Sequence, residues 1–200
     1  MREIYKAGVT PQQKMVGINQ KFGNTGIKNQ QGTSVLIYDS LPTGTNTTFR
    51  FFEDSASRNF PFTNTGSDGN KLGVGDTMVI ESVQFVTFDR VDATGEIVNS
   101  TSISVFGNTA LGLFDFEIAN NKVLKKIPLT ETLSAYNKNS STSNLGIVNF
   151  ETQIVLPPLL PYILNLQLPL PITAAAVGQT RFLKVIIIGT GGIIAPRTTF

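Results

Sequence analysis

The sequence predicts an all-β protein, a jelly-roll-like β-sandwich of about eight to ten strands with an extended amino-terminal arm. Three observations predict this fold. From Thr33 onward, apolar residues recur at every second position, which is typical of half-buried strands. Clusters of turn-forming residues separate these segments, and Gly and Pro together make up 28 (18 + 10) of the 200 residues. A chain of this length also buries enough apolar surface to fold without covalent cross-links.

The alternation is clearest in residues 114–118, 148–154 and 164–168. In the first of these, Phe114, Phe116 and Ile118 alternate with two carboxylates. Eight strands and long connections at the ends of the sandwich favour a jelly roll over an immunoglobulin-like fold, which usually has about seven strands over roughly a hundred residues. One helical turn is predicted at 129–136, and further strands are predicted at 35–38, 48–52, 78–88, 102–106, 122–127, 182–188 and 193–199.

The chain divides into a flexible basic arm, residues 1–32, and one sandwich domain, residues 33–200. The arm is rich in Gln, Asn, Gly and Lys and shows no sustained apolar period. Its five basic residues against Glu3 give a charge of +4 before Asp39, although the whole chain carries only +2. Attraction to packaged nucleic acid or to an acidic partner is therefore concentrated in the arm, while the alternative is a frayed terminus with solvated lysines. The candidate contact residues of the arm are Lys6, Lys14, Lys21 and Lys28.

The composition removes several classes of chemistry. The chain has no Cys and no His, which excludes disulfides, thiolate zinc sites, imidazole metal ligands and Ser-His-Asp triads. We predict no enzyme activity, no cofactor and no metal site. The first six residues are not followed by an apolar segment, so we expect no secretory signal. The apolar region 154–177 carries five prolines, which argues against a membrane-spanning helix.

Two features suggest chemistry but have simpler interpretations. Asp115 and Glu117 would lie about 7 Å apart on one strand face, a spacing that suits a divalent cation or a glycosidase pair. A solvated strand face is the favoured alternative. Asp89 and Asp92 flank a predicted turn and could bind a cation, but carboxylates are common at turns, and an ordinary turn is the favoured interpretation. The glycine clusters at 73–76 and 189–192 lack a complete phosphate-binding pattern, so they predict turns or bulges.

The segment 156–172 combines prolines with leucines. Proline removes backbone donors and restricts a segment to a sheet edge, whereas leucine side chains favour burial. Docking against a neighbouring subunit satisfies both requirements, and the alternative is that these residues cap the core of their own domain. The candidate subunit contacts are Leu159, Leu160, Tyr162 and Leu170.

Three segments carry a family resemblance: Phe-Arg-Phe-Phe at 49–52, Asn-Phe-Pro-Phe-Thr-Asn at 59–64, and Lys-Leu-Gly-Val-Gly-Asp leading into a long strand at 71–81. As a set they resemble bacteriophage virion proteins of the jelly-roll capsid kind, over about a fifth of the chain. The resemblance implies a structural subunit located in the virion, and the expected lack of a secretory signal predicts that it is made in the host cytoplasm. It would assemble with copies of itself and with other virion proteins, and it implies no catalytic residue.

An alternative is a non-catalytic β-sandwich of a spike or fibre that binds carbohydrate or a receptor. Such a module would be expected to present exposed aromatic platforms. The chain has no Trp and only four Tyr, which disfavours this alternative. A third hypothesis is a carboxylate-dependent enzyme that uses Asp115 and Glu117.

Overall fold

A computed structural model describes residues 30–65, 69–74, 76–102, 111–129 and 147–194. Within these ranges, the chain forms nine strands and a short 3-10 helix at Ser55–Ser57. The predictions for residues 1–29 and most of those for 102–106, 129–136 and 193–199 lie outside the described residues. The strands are β1 Gln30–Pro42, β2 Thr48–Phe51, β3 Thr77–Val91, β4 Ile97–Ser102, β5 Leu113–Ile118, β6 Asn121–Pro128, β7 Ile147–Leu156, β8 Tyr162–Gln167 and β9 Gln179–Ile194.

The strands form two antiparallel sheets. The five-stranded sheet has the order β1-β9-β3, and the far edge of β3 pairs with β7 along its first half and with β4 along its second half. The four-stranded sheet has the order β2-β8-β5-β6. Apart from β4, the order is β1-β9-β3-β7 in one sheet and β2-β8-β5-β6 in the other, which is the arrangement of a jelly roll. The predicted all-β sandwich is confirmed, while the predicted arm lies outside the described residues.

The core lies between the two sheets, where alternate side chains of each strand meet. In β5, Phe114, Phe116 and Ile118 are buried as the alternation predicted. The ring of Phe114 meets Phe85 of β3 at 5.4 Å, in an edge-to-face contact that joins the sheets. Burying side chains of this size contributes about 1.5–3 kcal/mol each, so this interior supplies most of the stability of the sandwich.

Strand β9 occupies the centre of the five-stranded sheet and is longer than the sequence predicted. The glycine cluster at 189–192 lies inside it, and the register shift falls beside the cluster, in β3 between Ile80 and Ser82. A Cβ atom at Gly189 would collide with the carbonyl oxygen of Val79. Glycine is therefore required here because the backbone of β3 approaches too closely for any side chain.

Candidate functional site

Two of the predicted contact residues, Leu159 and Leu160, lie side by side in the connection from β7 to β8. They are 55% and 41% exposed. The connection is held in place because the Leu159 N–H donates a hydrogen bond of 3.0 Å to the Leu72 carbonyl. Val74, two residues beyond Leu72, is 77% exposed. We call Val74, Leu159 and Leu160 the first apolar end of the sandwich.

Tyr162 does not belong to this surface. It is the first residue of β8, is 1% exposed, and packs its ring against Phe52 at a centroid distance of 5.1 Å. Burial and the nearby negative charge of Asp39 raise the pKa of its hydroxyl. Its interpretation as a subunit contact is corrected, because the side chain fills the core of its own domain.

Leu170 is exposed, but it lies at the opposite end of the sandwich. It follows β8, whereas Leu159 and Leu160 precede that strand. The five residue steps of β8 separate the two ends by about 17 Å. Two further exposed side chains, Leu111 and Val177, lie at the Leu170 end, beside the start of β5 and of β9. We call Leu111, Leu170 and Val177 the second apolar end.

Sequence reasoning missed a third apolar surface, on the outer side of the five-stranded sheet. Leu183, Val185 and Ile187 point into the core, so the alternate residues of β9 point outward. The cross-strand register places Leu36 beside Ile188, Tyr38 beside Ile186, and Lys184 beside Val86. On β3, the polar residues Ser82 and Gln84 lie beside Ile188 and Ile186. We call five of these residues the outer apolar face: Leu36, Tyr38, Val86, Ile186 and Ile188.

An aromatic cluster adjoins this face near the end of β3. Phe182 pairs with Phe88 across the strands, at a ring distance of 5.3 Å. Phe62, from the connection between β2 and β3, stacks on Phe182 at 4.8 Å, and Arg90 lies 5.8 Å from the Phe62 ring centroid. Phe60, two residues earlier, is 84% exposed. The apolar surface therefore continues from the sheet onto the adjoining loop.

Lys184 is the charged residue at the centre of this surface. Its ammonium nitrogen lies 3.6 Å from the centroid of the Tyr38 ring. Burial lowers the pKa of Lys184. The cation is thus partly satisfied by an aromatic ring on the same face.

The outer side of the four-stranded sheet is charged instead. Asp115 accepts hydrogen bonds from the Lys122 ammonium at 2.7 Å and from the Lys126 N–H at 2.6 Å. Glu117 accepts a hydrogen bond from the Asn165 side chain at 2.9 Å and lies 3.6 Å from the same ammonium. Burial raises the pKa of Asp115, but its bonds to Lys122 and Lys126 outweigh that effect, so the net shift is downward. The two carboxylates form part of an ion-pair network on this sheet.

Two other carboxylates are fully buried and fasten loops to the sheets. Asp39 accepts two hydrogen bonds from Arg58, at 3.0 and 2.6 Å, and one from the Phe52 N–H at 2.7 Å. Asp89 likewise accepts two hydrogen bonds from the guanidinium of Arg181. These bonds hold the connection after β2 on β1, and join β3 to β9. Within the ranges described above, no group of three or more carboxylates lies close enough to share a metal ion.

The four lysines predicted for the arm, Lys6, Lys14, Lys21 and Lys28, lie outside the described residues. Their role stays a prediction. In the part of the chain that the structure describes, no helix is both long and apolar enough to cross a membrane.

Comparison with known proteins adds one structural likeness. No protein-family model and no curated protein matches the sequence. Among solved structures, the chain is similar to the major capsid protein P2 from bacteriophage PM2, with a TM-score of 0.38 and 10% sequence identity. The similarity covers 86% of this chain and 48% of the capsid protein, so the chain spans about half the length of that protein. A likeness of this degree assigns no function to the chain.

Proposed function

We propose that the chain is a structural virion protein, a capsid or coat-type subunit that assembles with copies of itself. The observation that carries the proposal is the presence of exposed aliphatic side chains at both ends of one sandwich. Covering such side chains removes apolar surface from water, which favours association. The resemblance of segments 49–52, 59–64 and 71–81 to phage virion proteins supports the same function.

The two apolar ends favour head-to-tail contact between subunits. The first end, Val74 with Leu159 and Leu160, consists of different residues from the second end, Leu111 with Leu170 and Val177. Contact between two different surfaces leaves one of each free on every pair of subunits, so the contact can repeat. Repetition gives closed rings or extended arrays, which a particle shell requires.

The loops that carry these residues are held in defined positions, which reduces the entropy lost on association. Hydrogen bonds fix the first end to the segment around Leu72. At the second end, the Ala175 N–H lies 3.4 Å from a carboxylate oxygen of Asp89, which is itself held by Arg181. Preorganised apolar surfaces suit specific contacts between subunits.

The predicted arm, residues 1–32, would supply the second part of the assembly by binding a neighbouring subunit or packaged nucleic acid. Its last three residues belong to β1, so residues 1–29 would make this contact. The charge of +4 that accumulates before Asp39 supports this role. The partners are then copies of this chain, other virion proteins and, through the arm, nucleic acid. The location that follows is the virion.

One observation favours a second function, carbohydrate binding on a spike or fibre. Phe60 is 84% exposed, as an aromatic platform for a sugar ring would be. Neither described tyrosine extends this platform, because Tyr162 is buried and the ring of Tyr38 is covered by Lys184. Glycan-array binding by the wild-type chain that disappears in Phe60→Ala would favour this function.

Light scattering of the full chain over a range of concentrations tests the coat-type function. The same measurement on a chain that lacks residues 1–29, which leaves β1 intact, tests the arm. Defined oligomers that shrink without the arm would support a coat subunit. A mass equal to one chain at every concentration, in both forms, would contradict self-assembly.

A further inference from the structure

We propose that the outer apolar face of the five-stranded sheet binds the same face of a second copy of this chain. In this contact, β3 of one copy runs in the direction opposite to β3 of the other. This inference rests on the proposed assembly function and identifies a contact that the two apolar ends do not provide. Four observations support it: the edge of β1, the low charge of the face, its size, and the charges at its two ends.

The edge of β1 is unavailable for pairing along part of its length. Asn64 accepts a hydrogen bond from the Tyr38 N–H at 2.7 Å, and its side-chain amide donates one of 2.7 Å to the Leu36 carbonyl. The Asn64 N–H donates another, of 3.3 Å, to the Tyr38 carbonyl. Since these backbone groups are satisfied, a second copy cannot extend the sheet along this part of β1.

The low charge of the face suits an identical partner. Stacking two copies brings Leu36, Val86, Ile186 and Ile188 together and buries one charged side chain of each copy at the centre, Lys184, which carries a cost. The Tyr38 ring, 3.6 Å from the Lys184 ammonium, reduces that cost. The outer side of the other sheet carries Asp115, Glu117 and Lys122 and is unsuited to such stacking.

The face supplies part of the area of a stable contact. From Glu81 to Arg90, the three strands that carry the face are about 30 Å long and together about 14 Å wide, which gives roughly 400 Å². A standard interface buries about 800 Å² on each partner. Phe60 and Phe62, which adjoin the face, extend it towards that value.

Charges at the two ends of the face favour opposite strand directions. Glu81, bonded by the Thr190 hydroxyl at 2.6 Å, lies near the start of β3, and Arg90 lies near its end. When the strands of two copies run in opposite directions, the Arg90 end of each copy meets the Glu81 end of the other. Parallel stacking would instead place like charges together.

The test measures association of the full chain by sedimentation equilibrium. Leu36, on the face, and Val123, on β6 of the other sheet, are 48% and 44% exposed and are both apolar strand residues. Leu36→Glu is expected to weaken the pairwise association about tenfold or more, because each copy would bury a carboxylate. The matched control Val123→Glu should leave it unchanged.

A charge exchange tests the strand direction. Arg90→Glu should weaken the association several-fold, and adding Glu81→Arg to the same chain should restore it. Circular dichroism and an unchanged thermal midpoint verify that each variant is folded. Failure of the double variant to restore association, with the fold intact, would contradict opposite strand directions.

The outcomes separate this inference from the proposed function. If Leu160→Glu disrupts the oligomers while Leu36→Glu does not, the outer face is not an interface, although self-assembly stands. A wild-type chain that stays monomeric at every concentration would overturn both. If association requires removal of residues 1–29, and Leu36→Glu then abolishes it, those residues occupy the face in the full chain and the inference is overturned.

Discussion

Arg181 binds Asp89 through two hydrogen bonds, of 2.6 and 2.7 Å, in the interior of the five-stranded sheet. Asp89 is completely buried, and it also accepts a bond of 3.2 Å from Asn99 of β4. Because the Ala175 N–H also approaches this carboxylate, one side chain fastens β9, β4 and the connection after β8 to β3. The second apolar end therefore depends on this ion pair for its shape.

Replacement of Arg181 by Met should strongly destabilise the fold. It leaves the Asp89 carboxylate buried without its cation, and breaking a buried pair in this way costs about 3–5 kcal/mol. Urea unfolding followed by circular dichroism measures the loss. Lys122→Met, which breaks an exposed pair with Asp115, is the control and should destabilise the protein much less. Equal losses in the two variants would contradict the role of Arg181.

Stability should fall in acid, and Asp89 should contribute to the fall. The Arg181 hydrogen bonds hold the pKa of Asp89 below its ordinary value, and burial opposes this shift without reversing it. A group with a lowered folded-state pKa stabilises the protein above its unfolded value of about 3.9 and loses that contribution as the pH falls through the folded value. The free energy of unfolding should therefore fall below about pH 4.

The variant Asp89→Asn isolates this contribution. Its free energy of unfolding should be lower at pH 6 and should decrease less between pH 6 and pH 3 than that of the wild type. Asp92→Asn, which removes an exposed carboxylate that accepts a hydrogen bond from the Thr180 hydroxyl, is the control and should keep most of the wild-type decrease. If the stability of Asp89→Asn falls as steeply in acid as that of the wild type, Asp89 does not contribute to the acid dependence.

Gly189→Ala should destabilise the protein by more than about 2 kcal/mol, since the added Cβ forces β3 and β9 apart. Gly178→Ala provides a comparison. Gly178 has a φ of 78° and open space around its Cβ position, so the cost there is backbone strain of about 1–2 kcal/mol. Thermal unfolding ranks the two variants. A Gly189→Ala protein as stable as the wild type would show that β3 and β9 are not packed this closely.

Mixing two variants tests the head-to-tail contact between the apolar ends. Leu160→Glu disrupts the first end and Leu170→Glu disrupts the second, so neither variant alone should form the contact between ends. Mixed together, they retain one intact pair of complementary ends, so this contact should join one copy of each variant and propagate no further. Native mass spectrometry with one variant isotopically labelled detects these pairs. Their absence, when the wild type assembles, would contradict contact between unlike ends.

The sequence predicted the parts of the fold in which one face is buried and the other is polar. Asp115 and Glu117 between Phe114, Phe116 and Ile118 identify β5 and its orientation, and the structure confirms both. Strand β4 was missed because its residues Asn-Ser-Thr-Ser carry no alternation, and it forms by pairing with β3. The extent of β9 was missed because glycine normally weakens strands, whereas here close packing requires it.

Sequence could not locate the candidate surfaces, because location depends on topology. Leu160 and Leu170 are ten positions apart in one apolar segment, yet β8 places them at opposite ends of the sandwich. The outer apolar face was hidden for a different reason. In the continuous run around Ile186, Ile187 and Ile188, both faces of the strand are apolar, so alternation does not reveal which side chains point outward.

The most direct test of the central claim is the solution mass of the full chain, measured by light scattering as its concentration is raised. The account predicts defined oligomers for the wild type, and mainly smaller species for the double variant Leu160→Glu, Leu170→Glu at the same concentrations. A wild-type mass equal to one chain throughout, or equal masses for the two proteins, would contradict assembly through the apolar ends.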